Sequence, residues 1–262
     1  GSDETTLDVE QSGGIAPDAK IIVYQAPNTT QGFVDAFAQA IESNAADTVS
    51  VSWGEWEWFD QQSQAVDPVN GKTTNVLQAY HDLFLQAALQ GQTLFAASGD
   101  SGAYDVNRAA PLPQYNKVLS VDSPANQQFI TAAGATTVPT TLTFHPNGKE
   151  MKVKISSERA WGWDYLSGLC KALGKDQVAC GIFPVGDGGG VSGFISRPFY
   201  QNWIPGMQNT PAGQQLVDTS QTPPQVIGSI PANFKGRNLP DISMNGDPET
   251  GYVVYYTSDK TG

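Results

Sequence analysis

Histidine and cysteine are nearly absent from this chain of 262 residues, which has two of each. His81 lies in a run with helical spacing and His145 beside a turn, so neither stands in the setting of a serine–histidine catalytic pair. Imidazoles and thiols are also too few for a transition-metal ligand cluster, and no metal ligands are assigned. Cys170 and Cys180 share one loop-like stretch, where a disulfide clamping a local loop is the expected state and a pair of free thiols the alternative. Positive charge is scarce as well. Fourteen basic residues against 26 acidic ones give a net charge of −12, which argues against nucleic acid or an anionic membrane as partner and leaves proteins, peptides and small molecules. No apolar run approaches the length of a membrane span, and no signal peptide precedes Gly1, so an exported form would already have lost its leader. Charged residues make up only 15% of the chain while Ser, Thr, Asn, Gln and Gly abound, a balance that points to an exported protein.

What is present is an alternation of short apolar strands and amphipathic helices. The run Ile21-Ile22-Val23-Tyr24 predicts a strand, and Phe33, Val34, Phe37 and Ile41 are spaced as one helix face behind the cap residues Asn28-Thr29-Thr30. Thr48–Ser52 predicts a strand, Leu77–Leu89 a helix, Thr93–Ala97 a strand and Val118–Val121 another. Strands separated by helices imply a mainly parallel sheet covered on both faces, hence an α/β fold in three layers. Beyond Thr136, alternation at Thr140, Leu142 and Phe144, the turn Pro146-Asn147-Gly148 and alternation at Met151, Val153 and Ile155 predict a hairpin. From Gly162 to Arg237 the chain is rich in Gly, Pro, Gln and Asn and reads as long surface loops around one or two more helices. The whole chain, 1–262, reads as one domain.

Carboxyl groups stand where such a sheet binds ligands. Asp100, in Ala97-Ser98-Gly99-Asp100-Ser101-Gly102, falls at the carboxyl end of the Thr93–Ala97 strand, and Trp53 at that of Thr48–Ser52. An Asp there serves chemistry or caps a Gly-flanked turn. Glu4 and Asp8, four apart, would share one helix face within reach of each other, where like charges raise one pKa and a proton is shared. The alternative is an ordinary acidic helix start.

Six ordered motifs carry a resemblance. The run Glu4-x-x-x-Asp8-x-Glu10, then Ala16-Pro17-Asp18-Ala19-Lys20, Val51-Ser52-Trp53-Gly54, Ala97–Gly102, Gly188-Gly189-Gly190-Val191-Ser192 and Leu239-Pro240-Asp241-Ile242-Ser243 resemble the sedolisins, or serine-carboxyl peptidases, in order and approximate spacing. The resemblance implies a subtilisin-like fold, here incomplete at both ends, and an acid-acting serine endopeptidase using Ser, Glu and Asp. It casts Glu4 as general base, Asp8 as the acid that holds it, and Asp100 as a protonated donor at the oxyanion site. Trp53 resembles a residue near the acid network, a core-packed indole being the alternative. The backbone of Ser50, Ser52, Trp53 and Gly54, with that of Gly189 and Gly190, would hold an extended peptide as an added strand, a glycine-rich turn being the plainer reading of the second stretch. The implied partners are a peptide or protein substrate, the protein's own propeptide and C-terminal segment, with no nucleic acid and no membrane. The expected acting form is a secreted monomer.

One element of the family pattern is not found in this sequence. The nucleophilic Ser belongs to a Gly-Thr-Ser motif after the segment resembling Asp241–Tyr252, and no such motif occurs before Gly262. The family's calcium ligands would lie further on still. Neither Ser101 nor Ser192 is a substitute nucleophile, and the chain alone is expected to be inactive. The alternative is a non-catalytic α/β module that keeps the peptide groove.

Overall fold

The computed structural model describes residues 2–109, 117–218 and 220–255. Helix α1 (Ser2–Ile15) opens the chain and an extended segment leads to α2 (Thr30–Ser43). The Thr29 hydroxyl accepts the Gly32 N–H at 3.0 Å to start α2, and Asn44, left-handed at φ 44°, ends it. Strands β1 (Thr48–Val51) and β2 (Glu55–Trp56), helix α3 (Glu57–Gln62) and the antiparallel pair β3 (Gln64–Val66) and β4 (Thr73–Asn75) follow. Helix α4 (Val76–Gln90) starts on the Asn75 side chain, ends at Gly91 and feeds β5 (Thr93–Ala97). Next come α5 (Val106–Ala109), β6 (Asp122–Ser123), β7 (Thr131–Thr137), the hairpin of β8 (Thr140–Phe144) and β9 (Met151–Ile155), and β10 (Arg159–Ala160). Helix α6 (Ser167–Ala172) precedes β11 (Gly190–Ser196), β12 (Gln215–Asp218), β13 (Gln225–Ser229), β14 (Gly236–Leu239) and β15 (Ile242–Asn245).

The central sheet runs β1-β5-β7-β10, with β15 also on β7, and every pairing is parallel except that of β10. Helices α2 and α4 cover one face. Val34, Phe37 and Ile41 of α2 and Tyr80, Leu83 and Phe84 of α4 pack with Leu94, Ala96 and Ala132 of the sheet in one buried cluster. Each large side chain removed from water there contributes about 1.5–3 kcal/mol.

Three expectations need correction. Ile21–Tyr24 is extended but joins no ladder among the described residues, and Ile21 and Val23 are exposed. A β-branched run favours extended backbone, whereas a strand also needs a neighbouring edge. Val118–Val121 forms only an isolated bridge, at Ser120, while the strand at the middle of the sheet is β7. Its sequence, Thr-Ala-Ala-Gly-Ala-Thr-Thr, lacks the large apolar residues that mark a buried strand. The stretch Gly162–Arg237, read as loops around helix, does hold α6 but also β11, β12, β13 and the start of β14, which pair as two-stranded ribbons off the main sheet. By contrast the hairpin forms as expected, in register from Thr140↔Ile155 to Phe144↔Met151, and Cys170 and Cys180 are joined in a disulfide.

Two backbone segments meet at the end of β5. Gly188 N–H donates to Gly99 O at 2.8 Å, Gly186 N–H to Asp100 O at 3.0 Å, and Gly102 N–H to Gly186 O at 3.0 Å. A Cβ on Gly188 would stand 1.9 Å from Ser98 O. Gly188→Ala is therefore expected to destabilise the protein by about 1–3 kcal/mol, the usual cost of overpacking. Denaturant unfolding at fixed pH checks this, and an unchanged midpoint would contradict the close approach.

Candidate active site

Helix α1 carries two carboxyl groups to the carboxyl end of β1. The Ser52 hydroxyl, one residue past β1, donates to Asp8 Oδ1 at 2.7 Å and also bears on Glu4. Loss of water raises the Glu4 pKa above the usual carboxylate range, the Asp8 and Asp100 charges raise it further, and the Ser52 hydroxyl opposes. Asp8 is likewise pushed up by burial and held back by Ser52. Glu4 and Asp8 thus sit together as the spacing predicts, with Ser52 between them.

Asp100 projects into solvent at the mouth of β5 rather than lying enclosed. Its neighbour across the backbone contact is Asp187, a residue sequence reasoning missed. Asp187 Oδ1 accepts Ala135 N–H at 2.7 Å and the Ser98 hydroxyl at 3.1 Å. Burial raises its pKa and the Asp100 charge adds to the rise, against those two hydrogen bonds. No local pattern marks Asp187, because Ser98 is 89 residues away.

Both predicted backbone walls flank this point. Ser50 is exposed, and the Trp53 ring stacks on Phe33 of α2, with centroids 3.5 Å apart and planes 17° apart. Gly54 is buried against Asp122, whose Oδ1 would lie 1.7 Å from a Cβ there. That same Asp122 carboxyl lies against Gly99. Gly189 is half-buried, and Gly190 is exposed and pairs with Leu239. Beside them opens a cavity of about 310 Å³, lined in part by Leu119, Val191, Pro211 and Ile230. A larger cavity, about 380 Å³, includes Thr93 and Thr131 at the opposite ends of β5 and β7 together with Asp241, and none of Glu4, Asp8 and Asp100 lines it.

Ser101 is buried, and the Ser192 hydroxyl donates to Glu57 at 2.5 Å. Neither is free at the site. Among the described residues no group of three or more His, Cys, Asp or Glu side chains could hold a metal ion, and no helix is long and apolar enough to cross a membrane.

The chain has counterparts among known proteins. The family model described as the subtilase family matches residues 2–261. The chain is a subtilase of the sedolisin family. Kumamolisin from Bacillus sp. (strain MN-32) is 29% identical over 260 residues, covering 98% of this chain and 35% of its own. Sedolisin from Pseudomonas sp. (strain 101) is 30% identical over 239 residues, covering 89% of this chain and 34% of its own. The solved structure of Pseudomonas sedolisin, a serine-carboxyl proteinase complexed with two molecules of pseudo-iodotyrostatin, aligns with a TM-score of 0.53 at 28% identity, over 88% of this chain and 47% of that one. The fold is accordingly the subtilisin-like α/β fold. This sedolisin-family chain spans about a third of the length of the curated relatives it matches.

Two further carboxyl groups, also missed in the sequence, sit in α3 beneath the site. Glu57 is fully buried and Asp60 nearly so, and burial pushes each pKa up to about 7, against ordinary values of 4.5 and 3.8. Hydrogen bonds from Gly193, Ser192 and Asn126 hold Glu57 back, whereas Ser123 lowers Asp60 and Glu55 raises it. Both groups are neutral in the fold up to about 7 but ionise in the unfolded chain from about 4 upward, so ionisation favours unfolding. Their stabilisation is fully present below about pH 4 and is lost as pH rises to about 7. The Tm is expected to fall across that window, and Glu57→Gln or Asp60→Asn to flatten the fall. Calorimetry from acid to neutral pH measures it. A Tm that climbs over the window identically in all three proteins would contradict the assignment.

Proposed function

We propose that the full-length protein is an acid-acting serine endopeptidase of the serine-carboxyl type, with its nucleophilic serine in a Gly-Thr-Ser motif downstream of Gly262. The observation that carries this reading is the electrostatic grouping of Glu4, Asp8 and Asp100 at the carboxyl ends of β1 and β5. A carboxyl group with a raised pKa is a competent proton acceptor in acid, where an ordinary carboxylate would be a weaker base. In this reading Glu4 takes the proton of the attacking serine and Asp8, held by Ser52, fixes its position. Asp100, when protonated, donates a hydrogen bond to the oxyanion that forms on the substrate carbonyl.

The substrate proposed is an extended peptide paired between Ser50–Gly54 and Gly189–Gly190, with one side chain entering the neighbouring cavity. The apolar lining residues Leu119, Val191, Pro211 and Ile230 favour an apolar side chain there. The protein's own propeptide and C-terminal segment are the proposed partners in cis, and the acting form a monomer. Secretion is proposed too, supported by the Cys170–Cys180 disulfide. The calcium implied by the resemblance would have its ligands outside this chain, and the steps above use none.

Cleavage of a denatured protein by the full-length enzyme is expected to peak in acid. Glu4→Gln should abolish it with the fold intact, and Asp8→Asn should reduce kcat strongly by releasing Glu4. A Glu4→Gln enzyme of near wild-type rate would leave the pair as an ordinary acidic helix start.

Asp100→Ala is expected to lose about 10²–10³ in rate, the usual cost of one oxyanion donor. Asp100→Asn keeps a hydrogen-bond donor and should retain more of the rate than Asp100→Ala. The three pH profiles are compared directly. Wild-type activity of the Ala variant across the acid range would reduce Asp100 to a turn residue.

A further inference from the structure

Glu57 begins α3 three residues after Gly54, and its backbone N–H donates to Val121 O at 3.2 Å. Its side chain crosses to a different part of the fold. Oε1 accepts Gly193 N–H at 2.8 Å, while Oε2 accepts the Ser192 hydroxyl at 2.5 Å and the Asn126 amide at 3.0 Å. Ser192 Oγ in turn accepts the N–H groups of Phe194, at 3.2 Å, and Ile195, at 2.9 Å. These lie where β11 slips out of register with β14, between Val191 and Ser196.

One carboxyl group thus joins the end of the Ser50–Gly54 wall to the end of the Gly189–Ser192 wall. Burying a carboxyl group is costly, and three donors offset that cost. An apolar side chain of equal volume would fill the space but would fix neither direction nor register. We infer that Glu57 is a positioning residue for peptide binding. It sets the separation and register of the two walls, through Ser192 and Gly193, without touching the peptide itself. This rests on the groove reading given above.

Binding is measured on the full-length protein with a fluorescein-labelled peptide whose central bond is a reduced amide and so resists cleavage. Glu57→Ala is expected to raise the Kd roughly tenfold or more, the order expected when a buried hydrogen-bonded group loses its partners. Amide exchange should quicken at Phe194 and Ile195. Glu57→Gln should restore part of the binding, with a Kd between those of the Ala variant and the wild type, because its carbonyl oxygen can still accept the Ser192 hydroxyl and the Asn126 amide while only the Gly193 N–H loses its acceptor. With cleavable substrate, Glu57→Ala should raise KM more than it lowers kcat. Should Glu57→Ala fail to fold, Ser192→Ala carries the test, with binding weakened and the two amides exchanging faster. A folded Glu57→Ala or Ser192→Ala variant with wild-type Kd overturns the inference, as does a folded Glu57→Gln variant no better than Ala. Absence of peptide binding by the unmutated protein would remove the groove reading and this inference together, whereas wild-type binding with indifferent variants removes the inference alone.

Discussion

The backbone of Gly99–Gly102 and that of Gly186–Gly188 run against each other with no room for a side chain between Gly188 and Ser98. Asp100 and Asp187 take their positions from that contact. Three main-chain hydrogen bonds, each contributing about 0.5–1.5 kcal/mol net, fix the loop that presents Asp100. The residue between Gly186 and Gly188, Asp187, turns its carboxyl group onto Ser98 and Ala135, binding the same loop to β7. Asp122 lies against both Gly54 and Gly99, so the first wall of the groove and the Asp100 loop share one support.

Charge is managed differently at the rim and in the interior. Glu4, Asp8 and Asp187 keep partial access to water; lost solvent raises all three pKa values, the Asp8 and Asp100 charges add to the rise at Glu4, and the Asp100 charge adds to it at Asp187. Deeper in, Arg237 is fully buried and donates to Asp241 Oδ2 at 2.5 Å, to Ile130 O at 2.9 Å and to the Tyr200 hydroxyl. Asp241 Oδ2 also accepts Ala132 N–H, so this ion pair ties β14 and the entry to β15 onto β7. Removing one partner of such a pair typically costs about 3–5 kcal/mol. Asp247, just past β15, is fully buried too and accepts from Thr137, Trp163, Tyr165 and the Glu249 N–H. The chain leaving β15 is thereby tied to the end of β7 and to Trp163 and Tyr165.

Much of the frame was legible in the sequence. The helix faces of α2 and α4, the strands β1 and β5, the β8–β9 hairpin and the joined cysteines all follow from patterns a few residues long. So does the placing of Glu4 and Asp8 on one helix and of Asp100 at a strand end. The central strand β7 was not legible, because its small residues lack the pattern of a buried strand. Nor were β11 to β13, whose Gly- and Gln-containing segments resemble loops until a partner is found.

The sequence by itself determined which residues turn, which cap, which alternate, and in what order the six motifs run, since these depend on chain neighbours alone. Tertiary structure decided which carboxyl groups meet and which are buried. Ser52 reaches Asp8 across 44 positions, Ser98 reaches Asp187 across 89 and Ser192 reaches Glu57 across 135. A pKa depends on water and charge in space, and no local pattern encodes what the fold brings from so far along the chain.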